Sequence, residues 1–172
     1  MAANYLHGVE TVELDNGPRP VRTVKSAVIG LIGTAPIGDV NQPVLVLSDR
    51  DAAKFGPQLA GFTIPQALDA IYDQGAGTVI VINVLDPAIH KTAVVDEAVA
   101  FDSAGIAKLA HGAAAALVLK SNDGATTYVV DTDYTVDLTK GVITRKAGGA
   151  IPAGAACKAS YDYADPTKVT AA

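Results

Sequence analysis

The histidines and the cysteine of this sequence are the residue types best suited to metal binding or nucleophilic catalysis. His7, His90 and His111 stand far apart, show no HxH or HExxH spacing and have no pair of cysteines near them. A zinc site needs three or four such ligands at close spacing. Cys157 lies on the apolar face of a predicted strand, where a cysteine usually packs as a small hydrophobic residue. The sequence therefore predicts neither a metal centre nor a cysteine nucleophile.

Three glycines in and after the first apolar run invite comparison with a nucleotide-binding loop. Gly30, Gly33 and Gly38 do not have the GxGxxG spacing, and no Gly-Lys-Ser or Gly-Lys-Thr sequence follows them. Pro36 stands where a phosphate-binding helix would have to begin. We therefore interpret these glycines as strand and turn residues, and no cofactor is predicted.

Three aspartates and two serines complete the set of candidate reactive side chains. Asp131, Asp133 and Asp137 offer the oxygen ligands that Ca²⁺ prefers, but the glycine and the distal glutamate of a calcium-binding loop are missing. Ser26 and Ser48 lie at the start of a predicted strand and of a predicted helix, with no histidine nearby in the sequence. We therefore expect the aspartates to lie in a solvated turn, and we assign no catalytic, cofactor-binding or metal-binding residue.

The composition indicates a hydrophobic core and argues against several classes of function. The 172 residues are 49% hydrophobic but only 5% aromatic, so Ala, Val, Ile and Leu must build that core. A net charge of −5 with scattered Lys and Arg argues against general nucleic-acid binding. No apolar stretch approaches the ~20 residues of a membrane helix, and the first ten residues lack the apolar region of a signal peptide. We expect a soluble protein made in a cytoplasm, without membrane insertion.

The first half of the chain predicts strands and helices joined by short loops. Short continuous apolar runs are typical of strands covered on both faces, and apolar residues recurring every three to four positions predict a helix. Ser48 with Asp51, and Thr63 with Gln66, have the spacing of helix-capping pairs. The predicted elements are strands at 27–32, 44–47 and 78–85 and helices at 48–55 and 63–74. Their order indicates an α/β layer.

The sequence changes character at Asp86 and Pro87, after which short strands and turns follow. Turn residues at 121–124 separate two apolar runs and predict a hairpin. At 106–109 the pattern allows at most a short helical turn. The clearest alternation lies near the end, on a strand with one apolar face formed by Ala155, Cys157, Ala159, Tyr161 and Tyr163. Predicted strands at 115–120, 125–130, 134–138, 142–145 and 155–163 indicate a small β-sandwich or barrel.

The predicted fold class is α+β, with an incomplete α/β core layer that carries an inserted, antiparallel β-sandwich or barrel. Residues 1–25 are assigned to an extended N-terminal arm and 26–88 to the partial core layer. Residues 89–166 are assigned to the inserted β domain, and 167–172 to the start of a return to the core. A layer of about three strands is thin for an independent core, so we expect the sequence to be the first part of a longer protein.

The segment at 8–14 in the predicted arm is rich in β-prone residues but has no cleanly apolar face. Apolar and charged side chains mix at both sets of alternate positions, and turn residues follow at 15–20. Such a segment suits the addition of a strand to a neighbouring sheet, and it also suits a frayed terminus or an edge strand. The pattern alone leaves both interpretations open and favours the second.

Four blocks of sequence, taken together, resemble the tail sheath proteins of contractile phage tails and related contractile particles. The first three are YLHGVETVELDNGPRPVRTVKSAVIGLIGTAP at 5–36, PVLVLSDRDAAKFG at 43–56 and IPQALDAIYDQGAGTVIVINVLD at 64–86. The fourth contains TTYVVDTDYTVDLTKGVITRKAGGAIPAG and the closing YDYADPTKV. The order of the four blocks is more specific than any one of them, and it covers nearly the whole chain.

The resemblance implies a structural, non-enzymatic subunit that polymerises around an inner tube and contracts to drive that tube through a cell envelope. It implies no cofactor, and it implies four partners: further copies in the sheath lattice, the tail tube protein, the baseplate and the tail terminator. Terminal arms would join neighbouring subunits, and on this chain the N-terminal arm maps to Gly8, Val9, Glu10, Thr11, Val12, Glu13 and Leu14. The sheath would belong to a virion tail assembled in the host bacterial cytoplasm, with the β domain on its outer face. A C-terminal half that completes the core would lie beyond this chain.

Two other classes of function stay open from the residues. The β domain suits a carbohydrate- or surface-binding module of a phage or cell-surface protein, with a binding face formed by Tyr128, Tyr134, Tyr161 and Tyr163. Alternate tyrosines more often pack a sheet. A small α/β enzyme is the third interpretation, and it needs a catalytic group that this sequence does not supply.

Overall fold

The computed structural model describes residues 28–75 and 77–170, and these form three small β-sheets and two α-helices. Among these described residues, 41% lie in β structure and 14% in helices or helical turns. The predicted α+β class is therefore confirmed, with β structure dominant. The predicted arm lies outside the described residues.

The first part of the described chain forms a layer of one three-stranded sheet and two helices. Its elements are β1 (Val28–Gly33), β2 (Pro43–Val46), α1 (Asp49–Ala52), a 3-10 turn (Ala53–Phe55), α2 (Ile64–Asp73) and β3 (Thr78–Asn83). The strand order is β1-β3-β2, with β1 parallel and β2 antiparallel to β3. Parallel neighbours need a long crossover connection, and α2 lies in the stretch of chain between β1 and β3.

The helix starts confirm one predicted capping pair and correct the other. Ser48 Oγ accepts a hydrogen bond from the Asp51 amide at 3.4 Å, as predicted for α1. Thr63, by contrast, makes no capping hydrogen bond at the start of α2. Its Oγ1 accepts the Thr34 amide at 3.0 Å, which ties the end of β1 to the start of α2. The predicted capping box of Thr63 and Gln66 is therefore wrong, because the threonine hydroxyl has a tertiary partner.

The layer sheet is covered on one face only among the described residues. The centre of the covered face consists of side chains that are at most 1% exposed, namely Val46, Ile64, Leu68, Val79 and Val81. On the other face, Val28 and Ile32 are 61% and 69% exposed. The prediction of strands covered on both faces is therefore wrong for the described chain. A strand that is apolar on both faces buries the second face only where a second layer is present.

The two remaining sheets lie within residues 91–164, which we call the β unit. Their strands are β4 (Lys91–Ala100), β5 (Ile106–Lys108), β6 (Ala114–Ser121), β7 (Thr127–Tyr128), β8 (Tyr134–Asp137), β9 (Val142–Arg145) and β10 (Ala156–Ala164). One sheet has the order β4-β10-β6-β7 and the other β5-β9-β8, with all pairs antiparallel. Both sheets contribute side chains to one buried cluster that includes Leu119, Ile143 and Tyr161.

Most of the strands predicted for the β unit are present, and two elements differ. The predicted hairpin is confirmed, with the Ser121 amide donating to the Thr126 carbonyl at 2.8 Å. The helical turn allowed at 106–109 is wrong, because the backbone of β5 pairs with β9 there. The ten-residue strand β4 is not predicted by the sequence. A bulge near Asp96, whose φ is +55°, interrupts its alternation.

Candidate subunit-interaction surface

The residues predicted to join neighbouring subunits, Gly8 to Leu14, lie outside the described residues, and their role stays a prediction. The described chain has two other features that bear on assembly. One is the uncovered face of the layer sheet, and the other is the junction between the layer and the β unit.

The uncovered face of the layer sheet, which we call the outer sheet face, is apolar. Strand register places the partly buried Ile82 on it together with four exposed aliphatic side chains, namely Val28, Ile32, Leu45 and Ile80. Ile80 is the least exposed of the four at 39%. Contiguous exposed aliphatic side chains on a folded domain mark an interaction site. The outer sheet face is therefore the clearest candidate interaction surface in the described chain.

The edges of the same sheet are also open among the described residues. β1 and β2 are the outer strands, and each is paired on one side only. Neither strand contains a charged residue. Unpaired edge groups without charges nearby are templates for a further strand.

The candidate reactive side chains have structural roles. Residues 28–75 and 77–170 contain no group of three or more His, Cys, Asp or Glu that could hold a metal ion. Cys157 is 1% exposed, and burial raises the pKa of its thiol above the ordinary value. The predicted burial of Cys157 is therefore confirmed, and a buried thiol that stays protonated is a poor nucleophile. No helix in the same part of the chain is long and apolar enough to span a membrane.

Asp133 is buried and fixes the loop between β7 and β8. Its Oδ1 accepts the Ala150 amide and its Oδ2 the Val129 amide, both at 2.8 Å. These two hydrogen bonds favour the ionised carboxylate and lower the pKa of Asp133. The prediction of a solvated turn is therefore wrong for Asp133, whereas Asp131 and Asp137 are exposed.

The tyrosines pack the sheets of the β unit. Tyr128, Tyr134 and Tyr161 are at most 8% exposed and belong to its buried cluster. The Tyr161 hydroxyl donates to the Glu97 carboxylate at 2.5 Å. Burial is the main cause that raises the pKa of Tyr161, and the hydrogen bond to Glu97 raises that pKa further. The Tyr163 ring stacks on His111 with centroids 3.9 Å apart. These side chains do not form the exposed aromatic face that the carbohydrate-binding alternative requires.

The layer and the β unit share a small buried cluster, which we call the junction cluster. Its centre is Phe62, Leu85 and Ala164, all at most 6% exposed. Three partly buried side chains pack against that centre, namely Leu59, Ala113 and Val169. Because the cluster contains side chains from both the layer and the β unit, burial of these side chains stabilises the contact between the two.

Residues 84–90 link the layer to the β unit, residues 165–169 follow its last strand, and we call these two linkers the neck. The His90 amide donates to the Asp86 carbonyl at 2.7 Å, and the Asp86 amide donates to Nδ1 of His90 at 3.0 Å. The Asp165 amide donates to the His90 carbonyl at 2.9 Å. The last hydrogen bond fastens the two linkers to each other.

The Asp165 carboxylate adds a second tie at the neck. It accepts the amide of Thr167 at 3.0 Å and the hydroxyl of Thr92 at 2.6 Å. Hydrogen bonds from Thr167 and Thr92 lower the pKa of Asp165, since they favour its ionised form. The start of β4 and the end of β10 are therefore held together at the neck.

Comparison with known proteins connects these features to a class of assembly. Residues 26–84 match the sequence model of a family described as "Tail sheath protein Gp18 domain III N-terminal region". Residues 87–172 match the model of a family described as proteins of unknown function. The two matched regions meet within the neck.

Two curated proteins are similar to this sequence. A tail sheath protein of Burkholderia phage BcepMu is 73% identical over 174 residues, which cover all of this chain and 36% of that protein. A tail sheath protein of Escherichia phage P2 is 33% identical over 90 residues, which cover 49% of this chain and 22% of that protein. This chain spans about a third of the length of the first relative.

Proposed function

The chain belongs to the family of phage tail sheath proteins, and from this premise we propose that it is part of a structural subunit of a contractile sheath. Such subunits polymerise around an inner tube and contract to drive the tube through a cell envelope. The observation that carries the proposal is the identity of 73% with a tail sheath protein along the whole chain. The subunit acts through its contacts and performs no catalysis.

The outer sheet face indicates how this chain fits into a whole subunit. We propose that the rest of the subunit covers this face and completes the layer formed by residues 26–88. The family region matched at 26–84 is itself described as the N-terminal region of a domain, which agrees with a layer completed from elsewhere. Residues 89–166 then form an inserted β-sandwich or barrel on the outer surface of the particle, and 167–172 lead back towards the core.

Contacts between subunits follow from the same proposal. Residues 8–14 join neighbouring subunits by adding a strand to an adjacent sheet. The other partners are the tail tube protein, the baseplate and the tail terminator. The subunit is assembled in the host bacterial cytoplasm and becomes part of the virion tail, without binding nucleic acid or inserting into a membrane.

Electron microscopy of two products tests the proposal. Negative-stain images should compare the 172-residue chain with a subunit extended to the length of its relatives. We expect the extended product to form hollow tubes and the 172-residue chain to stay small. Absence of tubes from the extended product across a range of salt and protein concentrations would contradict the proposed function.

A matched pair of variants tests the cover over the outer sheet face. Ile32→Ser changes that face, whereas Ile89→Ser changes an equally exposed side chain in the neck, since the two are 69% and 72% exposed. In the 172-residue chain both variants should change stability by no more than about 0.5 kcal/mol. In the extended product only Ile32→Ser should block tube formation, because it buries an unpaired hydroxyl. Normal tubes from that variant would show that the face is not covered.

A further inference from the structure

His90 holds the turn of the neck through Nδ1, the ring nitrogen that accepts a hydrogen bond. Its Nδ1 accepts the Asp86 amide at 3.0 Å while its own amide donates to the Asp86 carbonyl at 2.7 Å, so the two residues exchange two hydrogen bonds. A ring nitrogen of histidine accepts a hydrogen bond only while it carries no proton, because protonation makes it a donor. The closed neck therefore depends on an unprotonated Nδ1.

The turn held by His90 is attached to both the layer and the β unit. It follows Leu85, which lies in the junction cluster, and it precedes Lys91, the first residue of β4. The His90 carbonyl accepts the Asp165 amide from the second linker at 2.9 Å. Loss of the hydrogen bond between Asp86 and His90 thus loosens the point where the two linkers meet.

We propose that His90 is an acid-sensitive latch, in which protonation of Nδ1 releases the Asp86 amide and loosens the turn that links the layer to the β unit. Imidazole is the side chain that ordinarily changes charge between pH 5 and 8. The latch is closed while Nδ1 carries no proton and opens when Nδ1 takes one up. It is independent of whether the chain forms a sheath.

The charged groups around the neck act in both directions, because carboxylates favour an imidazolium at position 90 whereas lysine ammonium groups disfavour it. They are the carboxylates of Asp86 and Asp165, the ion pair of Lys91 with Asp162 at 2.8 Å, and Lys168 close to Asp165. Asp86 lies in the same turn, and its Oδ1 already accepts the Ala88 amide at 2.9 Å. Protonation of Nδ1 removes the acceptor of the Asp86 amide, so the turn loses that hydrogen bond.

The ring protonation state is the first test. Long-range ¹H–¹⁵N NMR spectra of the full 172-residue chain at pH 7.5 identify the nitrogen that carries the proton. We expect His90 to carry it on Nε2, with Nδ1 free to accept. A ring protonated on Nδ1 at this pH would overturn the proposal without the need for any variant.

Amide hydrogen exchange is the second test, with H90N as the matched control. The Oδ1 of asparagine takes the place of Nδ1 as acceptor and does not titrate. Between pH 7.5 and 5.0 we expect the protection factor of the Asp86 amide to fall about three- to tenfold in the unmodified chain, as for one hydrogen bond. It should stay constant in H90N, and protection of Leu119 should stay constant in both. Constant Asp86 protection in the unmodified chain, or an equal fall in H90N, would overturn the latch.

Discussion

Replacement of Leu85 by alanine tests whether the junction cluster is a packed core. Leu85 is fully buried and belongs to one cluster with Phe62 of the layer and Ala164 of the β unit. A Leu→Ala change at such a site loses the transfer free energy of the removed atoms and leaves a cavity, at a cost of about 2–5 kcal/mol. We expect a loss of about 3 kcal/mol in the free energy of unfolding, out of the roughly 5–15 kcal/mol typical of a domain.

Urea denaturation followed by far-UV circular dichroism measures this loss. The midpoint should fall with little change in the slope, and a loss of about 3 kcal/mol corresponds to roughly 6–12 °C in Tm for a chain of this size. Leu47→Ala is the matched control, because it removes the same atoms from a side chain that is 55% exposed. We expect the control to change stability by no more than about 0.5 kcal/mol.

Two outcomes would refute the reasoning about Leu85. A loss below about 1 kcal/mol, similar to that of Leu47→Ala, would mean that the site does not behave as buried. Separate unfolding transitions, with only the layer shifted by the substitution, would mean that the cluster does not stabilise the β unit. A single shifted transition is the expected result, because the cluster contains residues from both sides.

Three further substitutions test local features by urea denaturation. Gly33→Ala should cost about 1–3 kcal/mol, because an added Cβ lies 2.5 Å from the Thr63 hydroxyl, whereas Gly30→Ala on the same strand meets open space and should not destabilise. Tyr161→Phe should cost about 1–3 kcal/mol through loss of a partly buried hydrogen bond to a carboxylate, and a neutral result would contradict that bond. Asp133→Asn should lower the midpoint at pH 7. The pKa of Asp133 lies below its usual 3.8, so the stability that its carboxylate contributes is present above pH 3.8 and is lost as the pH falls through the lowered pKa. The loss of stability in Asp133→Asn should therefore be smaller at pH 2 than at pH 7, and equal losses at the two pH values would refute the role of the carboxylate.

Local patterns in the sequence predict much of the layer, because each element there is decided by nearby residues. Ser48 and Asp51 cap α1 as their spacing requires, and the apolar face of α2 lies on the sheet. Thr63 shows the limit of such reasoning. Its partner is Thr34, 29 residues away, and only the tertiary fold brings the two together.

The β unit is predicted less completely, for reasons that can be named. The bulge near Asp96 puts β4 out of its two-residue alternation, so no periodic signal marks the strand. β5 has only three residues, which is too short for a pattern. The neighbours of β10 also lie beyond sequence reasoning, since strand order depends on contacts across the whole unit.

The candidate interaction surface shows a different limit. Apolar residues at Val28, Ile32 and Ile80 are plain in the sequence and predict buried strands, but they do not say which part of a protein buries them. The neck has no sequence signature either. Asp86 and His90 stand four residues apart, a spacing that acquires meaning only when the turn between them closes and Asp165 joins it.

The central position of β10 has a consequence during synthesis on the ribosome. β10 lies between β4 and β6, yet it is the last strand of the β unit to be translated. The 55 residues from 101 to 155 take roughly 3–11 s at about 5–20 residues per second. Throughout that interval β4 lacks its partner β10, and so does β6 once it has been translated, so nascent chains carry unpaired backbone that other nascent chains can capture. Translation of β10 completes the sheet in one late step, and a ribosome stalled before residue 156 leaves an aggregation-prone product.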